Sequence, residues 1–260
     1  MRKTLILFLF LIVCIPKSCS AVMEGGVSKV GAGNSSRIVD SATNLPVAGA
    51  KVKLPKFDYI TVTDDLGAFK LNADIKAPTI MSIEKEGYRP FSLTVNEKIA
   101  SKPIIVGIEK SNAKDVVISS EMFHLGDDKF STNSANSNEF KGKSIGPFFT
   151  KTFMIGTAAL TQNNYLVIGS IIGIDTILAR ALRHGEVPRA FSSPPEIFFN
   201  GAKIAEIQLN GDGQRIKIPN NLLRPGKMNE VTIHTGRNLK QTAYIDYDDI
   251  EFMNLSIQSD

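Results

Sequence analysis

Short runs of alternating apolar and polar residues, cut by turn residues, fill the chain from about residue 35 to its end. Ala50, Val52 and Leu54 share one side of such a run. Tyr59–Thr63, Ala68–Leu71, Ile80–Ile83, Phe91–Val95 and Ile104–Ile108 follow with the same period of two, as half-buried strands require. After a polar link at Lys110–Lys114 the pattern resumes at Val116–Ile118 and Met122–Leu125, then at Phe148–Ile155 and Leu166–Ile172. Glu206–Leu209 and Ile216–Ile218 flank Asn210-Gly211-Asp212-Gly213, whose residues tolerate positive φ, so a hairpin is expected there. In the last run Ile250 and Phe252 share one parity and Met253, Leu255 and Ile257 the other, which predicts a bulge or a change of buried face at the switch. Helical periodicity is confined to Asp175–His184, which reads as one or two helical turns with Ile177, Leu178 and Leu182 facing inward, or equally as an irregular crossover. The pattern predicts an all-β protein of two β-sandwich domains.

The first 21 residues stand apart. Arg2 and Lys3 precede an unbroken apolar run, Leu5–Ile15, and Pro16, Ser18, Ser20 and Ala21 follow. This is the three-part pattern of a signal peptide over 1–21. The apolar run has 11 residues, too short for a membrane span. Both cysteines, Cys14 and Cys19, lie in this segment. Pro16-Lys17-Ser18 matches a lipoprotein signal poorly, so the exported chain is expected to carry no cysteine and no disulfide. Residues 22–32 read as a Gly-rich leader. Thr152–Ile174 carries no charge, but Gln162-Asn163-Asn164 at its centre argues for two buried strands joined by a turn rather than a span. The polar stretch Ser131–Asn138 reads as a long loop inside the second domain.

Charge changes the picture once the leader is subtracted. Of 30 lysines and arginines, Arg2, Lys3 and Lys17 leave with it, so 27 remain against 26 acids and the net charge falls from +4 to about +1. A nearly neutral chain without a basic stripe gives no reason to expect nucleic acid as a partner.

Two ordered sets of motifs carry a resemblance. Asp40, Pro46-Val47-Ala48-Gly49-Ala50-Lys51-Val52, Thr63-Asp64-Asp65-Leu66-Gly67-Ala68-Phe69 and Gly87-Tyr88 resemble carboxypeptidase regulatory-like domains over residues 34–110. That resemblance implies a seven-stranded, Greek-key, transthyretin-like sandwich that acts as an extracellular accessory without chemistry of its own. His124-Leu125-Gly126-Asp127-Asp128, Asn200-Gly201, Arg215–Pro219, Leu222–Gly226, Asn229–Ile233 and Asp248–Phe252 are similar to a galactose-binding-like jelly roll over 116–258, the sandwich of many carbohydrate-binding modules. Fold does not fix function.

Catalytic motifs do not emerge. His124, His184 and His234 are far apart in sequence. There is no G-x-S-x-G elbow, Gly142-Lys143-Ser144 lacks the first glycine of a phosphate loop, and Gly211-x-Gly213 lies in a predicted hairpin. The carboxylates are the one constellation. Asp246, Asp248, Asp249 and Glu251 crowd the last strand, and Asp127 and Asp128 follow the first strand of the second region. The jelly-roll resemblance implies that those strands adjoin and hold a structural calcium, with Asp127, Asp128 and Asp249 as ligands, since calcium takes about 6–8 hard oxygens. The alternative is that these acids are turn residues and solvated strand faces. A glycosidase pair is disfavoured because a jelly roll of this size seldom builds the cleft it needs. Sugar binding expects aromatic platforms, yet the chain has no tryptophan, and Tyr165, Tyr244 and Tyr247 are the tyrosines of the second region.

The expectation is therefore a secreted, periplasmic or cell-surface protein, not an enzyme, that binds extracellular or cell-envelope carbohydrate through its C-terminal jelly roll. The alternative is a structural or protein-interaction module that docks another envelope protein and takes no sugar.

Overall fold

A computed structural model describes residues 35–129, 140, 142–157, 163–184, 191–239 and 245–259. The signal peptide, the Gly-rich leader, Ser131–Asn138 and Tyr244 lie outside the described residues. Seven strands build the first sandwich: β1 (Ser36–Asp40), β2 (Lys51–Leu54), β3 (Tyr59–Val62), β4 (Ala68–Phe69), β5 (Thr79–Glu84), β6 (Phe91–Val95) and β7 (Ile105–Ile108). They form two sheets, in the orders β4-β1-β7 and β3-β2-β5-β6, with β1 and β7 parallel. Ile38, Val52, Leu54, Met81, Ile83 and Val106 fill the space between them. The residues that carry the first resemblance converge here. The Asp40 carboxylate accepts bonds from Thr43, Ala42 and the Tyr88 hydroxyl. Gly67 takes φ +68°, and a Cβ built on it would stand 2.4 Å from the Ile38 carbonyl oxygen, a place no side chain can enter.

Eight strands build the second: β8 (Val116–Leu125), β9 (Phe148–Met154), β10 (Asn164–Ile172), β11 (Glu196–Phe199), β12 (Ala202–Glu206), β13 (Gly211–Lys217), β14 (Met228–His234) and β15 (Ile250–Ser259). Their sheets run β13-β10-β15-β8 and β12-β11-β14-β9. Phe123, Phe149 and Phe252 meet at centroid distances of 4.5–5.5 Å between them, and Leu166, Ile168, Phe199 and Ile233 complete the core. The first and last strands of this sandwich, β8 and β15, pair antiparallel. At the parity switch the buried face changes, Phe252 entering this core and Met253 the opposite face, and a bulge follows directly: register slips between Met253 and Leu255, and Asn254 takes φ +60°.

Three local expectations are corrected. Glu206 ends β12 and Ile216 lies in β13, which belong to opposite sheets, so residues 207–210 carry the chain across the sandwich instead of closing a hairpin, and Gly211–Gly213 already pair with β10 as the start of β13. β9 is an edge strand with only Phe149 and Phe153 buried, not a fully buried strand, and it lies in the sheet opposite β10. The short helix does form, over Ile177–Ala181, with the Thr176 side chain capping Ala179 N–H. Ile177, Leu178 and Leu182 are exposed, however, and Ala179 is the residue that packs inward. No helix among the described residues is long and apolar enough to cross a membrane.

The two sandwiches also stack. The outer face of β5 and β6 lies on the outer face of β10 and β15, where Ile80, Ile172 and Met253 form a third, small apolar layer with Met122 and Phe140. This cover leaves β15 buried along its whole length. The seam is lined by small side chains: a Cβ on Gly169 would stand 2.5 Å from Ser92 Oγ. At its margin the Asp212 carboxylate accepts from Thr94 N–H at 2.9 Å, the Thr94 hydroxyl at 2.8 Å and the Ser170 hydroxyl at 2.7 Å. The link at 110–114 is tied down as well, because Arg89 bonds both Glu109 and Asp115 at 2.7 Å.

Candidate functional site

Alternation along β15 divides the acids that crowd its start. Glu251 stands opposite His124 on β8, and both it and Asp249 are fully buried. His124, Asp128 and Asp249 each offer a donor atom within 4.8 Å of the others. His124 Nε2 lies 3.0 Å from Asp249 Oδ1, and Nδ1 lies 2.5 Å from the Gly142 carbonyl. Burial pulls the His124 pKa down, but the bonds to Asp249 and Gly142 and the charges of Asp249 and Glu251 outweigh it, so the net direction is up. Burial pushes the Asp249 carboxyl up against the pull of His124 and the Asp128 N–H. Glu251 is pushed up by burial, opposed by the charges of Lys56 and His124.

Of the three expected calcium ligands, Asp128 and Asp249 come together and Asp127 does not join them. One Asp127 oxygen accepts from Lys129 N–H, and the other lies 3.5 Å from Lys129 Nζ. The partner that sequence reasoning missed is His124; its place on β8 facing the start of β15 becomes visible only with the strand pairing. Asp249 Oδ1 accepts from Asp128 N–H as well as facing His124, and both Asp128 oxygens lie 3.2 Å from Ser144 N–H. Calcium takes about 6–8 oxygens turned to one point; Asp249 Oδ1 and the Asp128 oxygens face N–H groups, while both carboxylate oxygens of the neighbouring Glu251 are buried without a hydrogen-bond partner.

Asp248 points elsewhere and is structural. Its Oδ2 accepts from Asp175 N–H at 2.9 Å and Ser192 Oγ at 2.7 Å, and its carbonyl accepts from the Thr235 hydroxyl. Burial holds its carboxyl well above the ordinary range, with those two bonds opposing. These bonds join the loop before the short helix to the segments around Ser192 and Thr235.

The outer face of the β12-β11-β14-β9 sheet carries a different set. Phe148-Phe149 and Phe198-Phe199 are doublets on strands, so each sends one ring to the core and one outward. Phe149 and Phe199 are buried, whereas Phe148 is 52% exposed. The outward rings flank His234, with centroids 4.6 Å away on either side, at 75° for Phe148 and 34° for Phe198. Register places them so: His234 pairs with Phe148 on one side and Glu196 on the other. Tyr247 approaches Phe148 at 6.5 Å. Beside this row is a depression of about 370 Å³ lined by Phe148, Glu196, Glu206, His234, Arg237 and Tyr247 among others. Lys203 bridges Glu196 and Glu206 at 2.5 and 2.6 Å. Burial lowers the His234 pKa, opposed by Glu196. The two doublets are the sequence signal for these outward rings, since neighbouring residues of a strand face opposite ways.

No family model and no curated protein matches the chain. Among solved structures, a GH31 alpha-xylosidase from Xanthomonas citri aligns at 9% identity over 88% of this chain, with a TM-score of 0.14. The chain spans 38% of that protein's length, and at that score the two share no demonstrated fold.

Proposed function

We propose that the chain is a secreted, non-catalytic binding protein that holds carbohydrate on the outer aromatic face of its second sandwich, with the first sandwich as a rigid support. The observation that carries this reading is the Phe148–His234–Phe198 row beside a depression edged by Tyr247, Glu196, Glu206 and Arg237. A pyranose offers an apolar C–H face and a rim of hydroxyls. Exposed rings receive the first, and carboxylates and a guanidinium bond the second. Glu196 and Glu206 are both engaged by Lys203, which suits holding hydroxyls better than acid–base work, where one carboxyl must be free to carry the proton. The resemblance to carbohydrate-binding jelly rolls supports the same assignment.

A second reading has its own observation. Met154 and Met228 are register partners at the far end of the same face and are 57% and 52% exposed, and exposed methionines suit adaptable protein contacts. A glycan array with the purified chain separates the two, followed by calorimetry on Phe148→Ala and Tyr247→Ala. Carbohydrate binding predicts array hits and at least about a tenfold loss of affinity in each variant, equivalent to about 1.4 kcal/mol, with the melting temperature unchanged. A silent array, or hits that both variants retain, sinks the sugar reading and leaves a protein partner.

A further inference from the structure

The groups around the depression beside Phe148 are of two kinds, those already engaged and those with donors to spare. We propose that the sugar held there is a uronate, with its carboxylate on Arg237 and its hydroxyls on Glu196 and Glu206; this rests on the carbohydrate reading of that face. Strand register sets the order of the groups. Glu206, Glu196, His234 and Phe148 are successive partners across β12, β11, β14 and β9, so they form one row across the sheet. Tyr247 stands beyond Phe148, at 6.5 Å between centroids, and Arg237 faces Tyr247 across an isolated bridge. The acids therefore lie at one end of the row and the guanidinium at the other, with the His234 and Phe148 rings between them.

The two ends offer opposite things. Lys203 donates to Glu196 at 2.5 Å and to Glu206 at 2.6 Å, so the two acids share one cation and keep a net negative charge with lone pairs for hydroxyl donors. At the other end Arg237 is exposed and pairs with no acid among the described residues, and the Tyr247 hydroxyl bonds to none of them. The acids nearest in sequence, Asp246 and Asp248, are fully buried, and Asp248 Oδ2 is taken by Asp175 N–H and Ser192 Oγ. A guanidinium presents its donors as a planar fork that matches the two oxygens of a carboxylate. A uronate carries its carboxylate on one edge of the pyranose and hydroxyls on the opposite edge, which is the order of the row. A neutral sugar would leave the guanidinium unmatched.

The fork is also held in place. Thr235 N–H donates to the Pro147 carbonyl at 3.0 Å, and Asp248 N–H to the Gly236 carbonyl at 2.7 Å. Arg237 N–H donates to Ser193 Oγ at 3.0 Å, and the Arg237 carbonyl accepts from Ser193 N–H at 2.7 Å. A Cβ on Gly236 would run into the Ser193 carbonyl oxygen, so these two segments touch backbone to backbone. The chain under Arg237 is thus ordered before a sugar arrives, and binding need not freeze it.

The test is calorimetry of the full chain against oligosaccharides of galacturonate, glucuronate and mannuronate, the same oligosaccharides methyl-esterified at the carboxylate, and a sulfated galactan. At least one uronate is expected to bind about tenfold or more tightly than its ester, since the ester loses a charge-assisted pair. Salt at about 0.5 M is expected to weaken the uronate more than the ester, because exposed pairs are screened. Arg237→Gln is expected to bring the uronate down to the level of its ester with the melting temperature unchanged. Arg237→Lys, which keeps the charge without the fork, is expected to regain only part of the difference. Uronate and ester bound alike, or a preference that Arg237→Gln retains, overturns the uronate assignment and leaves the sugar reading standing, as do array hits confined to neutral glycans. Tighter binding of the sulfated galactan, lost in Arg237→Gln, overturns the carboxylate in favour of a sulfate ester. Silence on every probe and on the array sinks both.

Discussion

Gly169→Ala tests the stacking of the two sandwiches with a single methyl group. Gly169 is on β10, facing β6 across the seam. A Cβ there would lie 2.5 Å from Ser92 Oγ, 2.7 Å from Asn254 Cβ and 3.1 Å from the Met253 carbonyl. Ordinary contact distances are about 3.5–4.0 Å, so the facing strands must move by about 1 Å or the side chains must leave their rotamers. Overpacking of this kind costs about 1–3 kcal/mol. The smaller backbone entropy of alanine returns about 0.5–1 kcal/mol, leaving a net loss of about 1–2 kcal/mol. With a urea slope of about 3 kcal/mol/M for a chain of this size, the midpoint falls by about 0.5 M. The chain lacks tryptophan, so far-UV circular dichroism is the appropriate signal. Gly107→Ala is the control: its Cβ would stand 3.4 Å from Ser41 Cβ, an ordinary contact, and no loss is expected. Ser92→Ala, which removes the nearest atom, should restore part of the loss in the double variant. A Gly169→Ala chain as stable as the Gly107→Ala control would mean that β6 and β10 do not meet, and the seam would have to be abandoned.

Two further outcomes follow from the same packing and burial. Asp212→Ala removes the acceptor for Thr94 and for the fully buried Ser170 hydroxyl; an orphaned buried donor costs about 1–3 kcal/mol, and an unchanged urea midpoint would contradict the latch. Asp248, Asp249, Glu251 and His124 all have raised folded-state pKa values, the three acids through burial and His124 through its acceptors overcoming burial. Raised values mean that the folded state binds more protons than the unfolded one, so stability falls as pH rises through the window above each ordinary value, about 4 for the acids and about 6.5 for histidine. Asp40 runs the other way: Thr43, joined by Ala42 and Tyr88, lowers its pKa against its partial desolvation, so its contribution is lost as pH falls through the folded value. Urea midpoints measured from mildly acidic to mildly alkaline pH should decline, and a rising series would refute the assignment.

The alternation of side chains by itself determined the fold class. Period-two runs such as Ala50-Val52-Leu54 have one buried face, and only sheets packed on sheets satisfy many of them at once. It also flagged the start of the last strand, where the parity change allowed a bulge or a change of buried face, without saying which. The acids near Asp249 were legible as a cluster for the same local reason. What alternation cannot say is which strand lies beside which, or what covers an outer face. Glu206 and Ile216 look like two arms of a hairpin yet belong to opposite sheets, because a short link serves a crossing as readily as a turn and the glycines after it lie in β13. His124 became the partner of Asp249 only through the β8–β15 register, 125 positions apart in the chain. Phe148 and Phe198 were visible as residues, but their meeting around His234 needed three strands side by side. The seam was beyond the sequence for a plainer reason. Its serines, threonines and Gly169 resemble solvent-facing residues, and only the contact between two sheets distant in sequence turns a polar outer face into an interior.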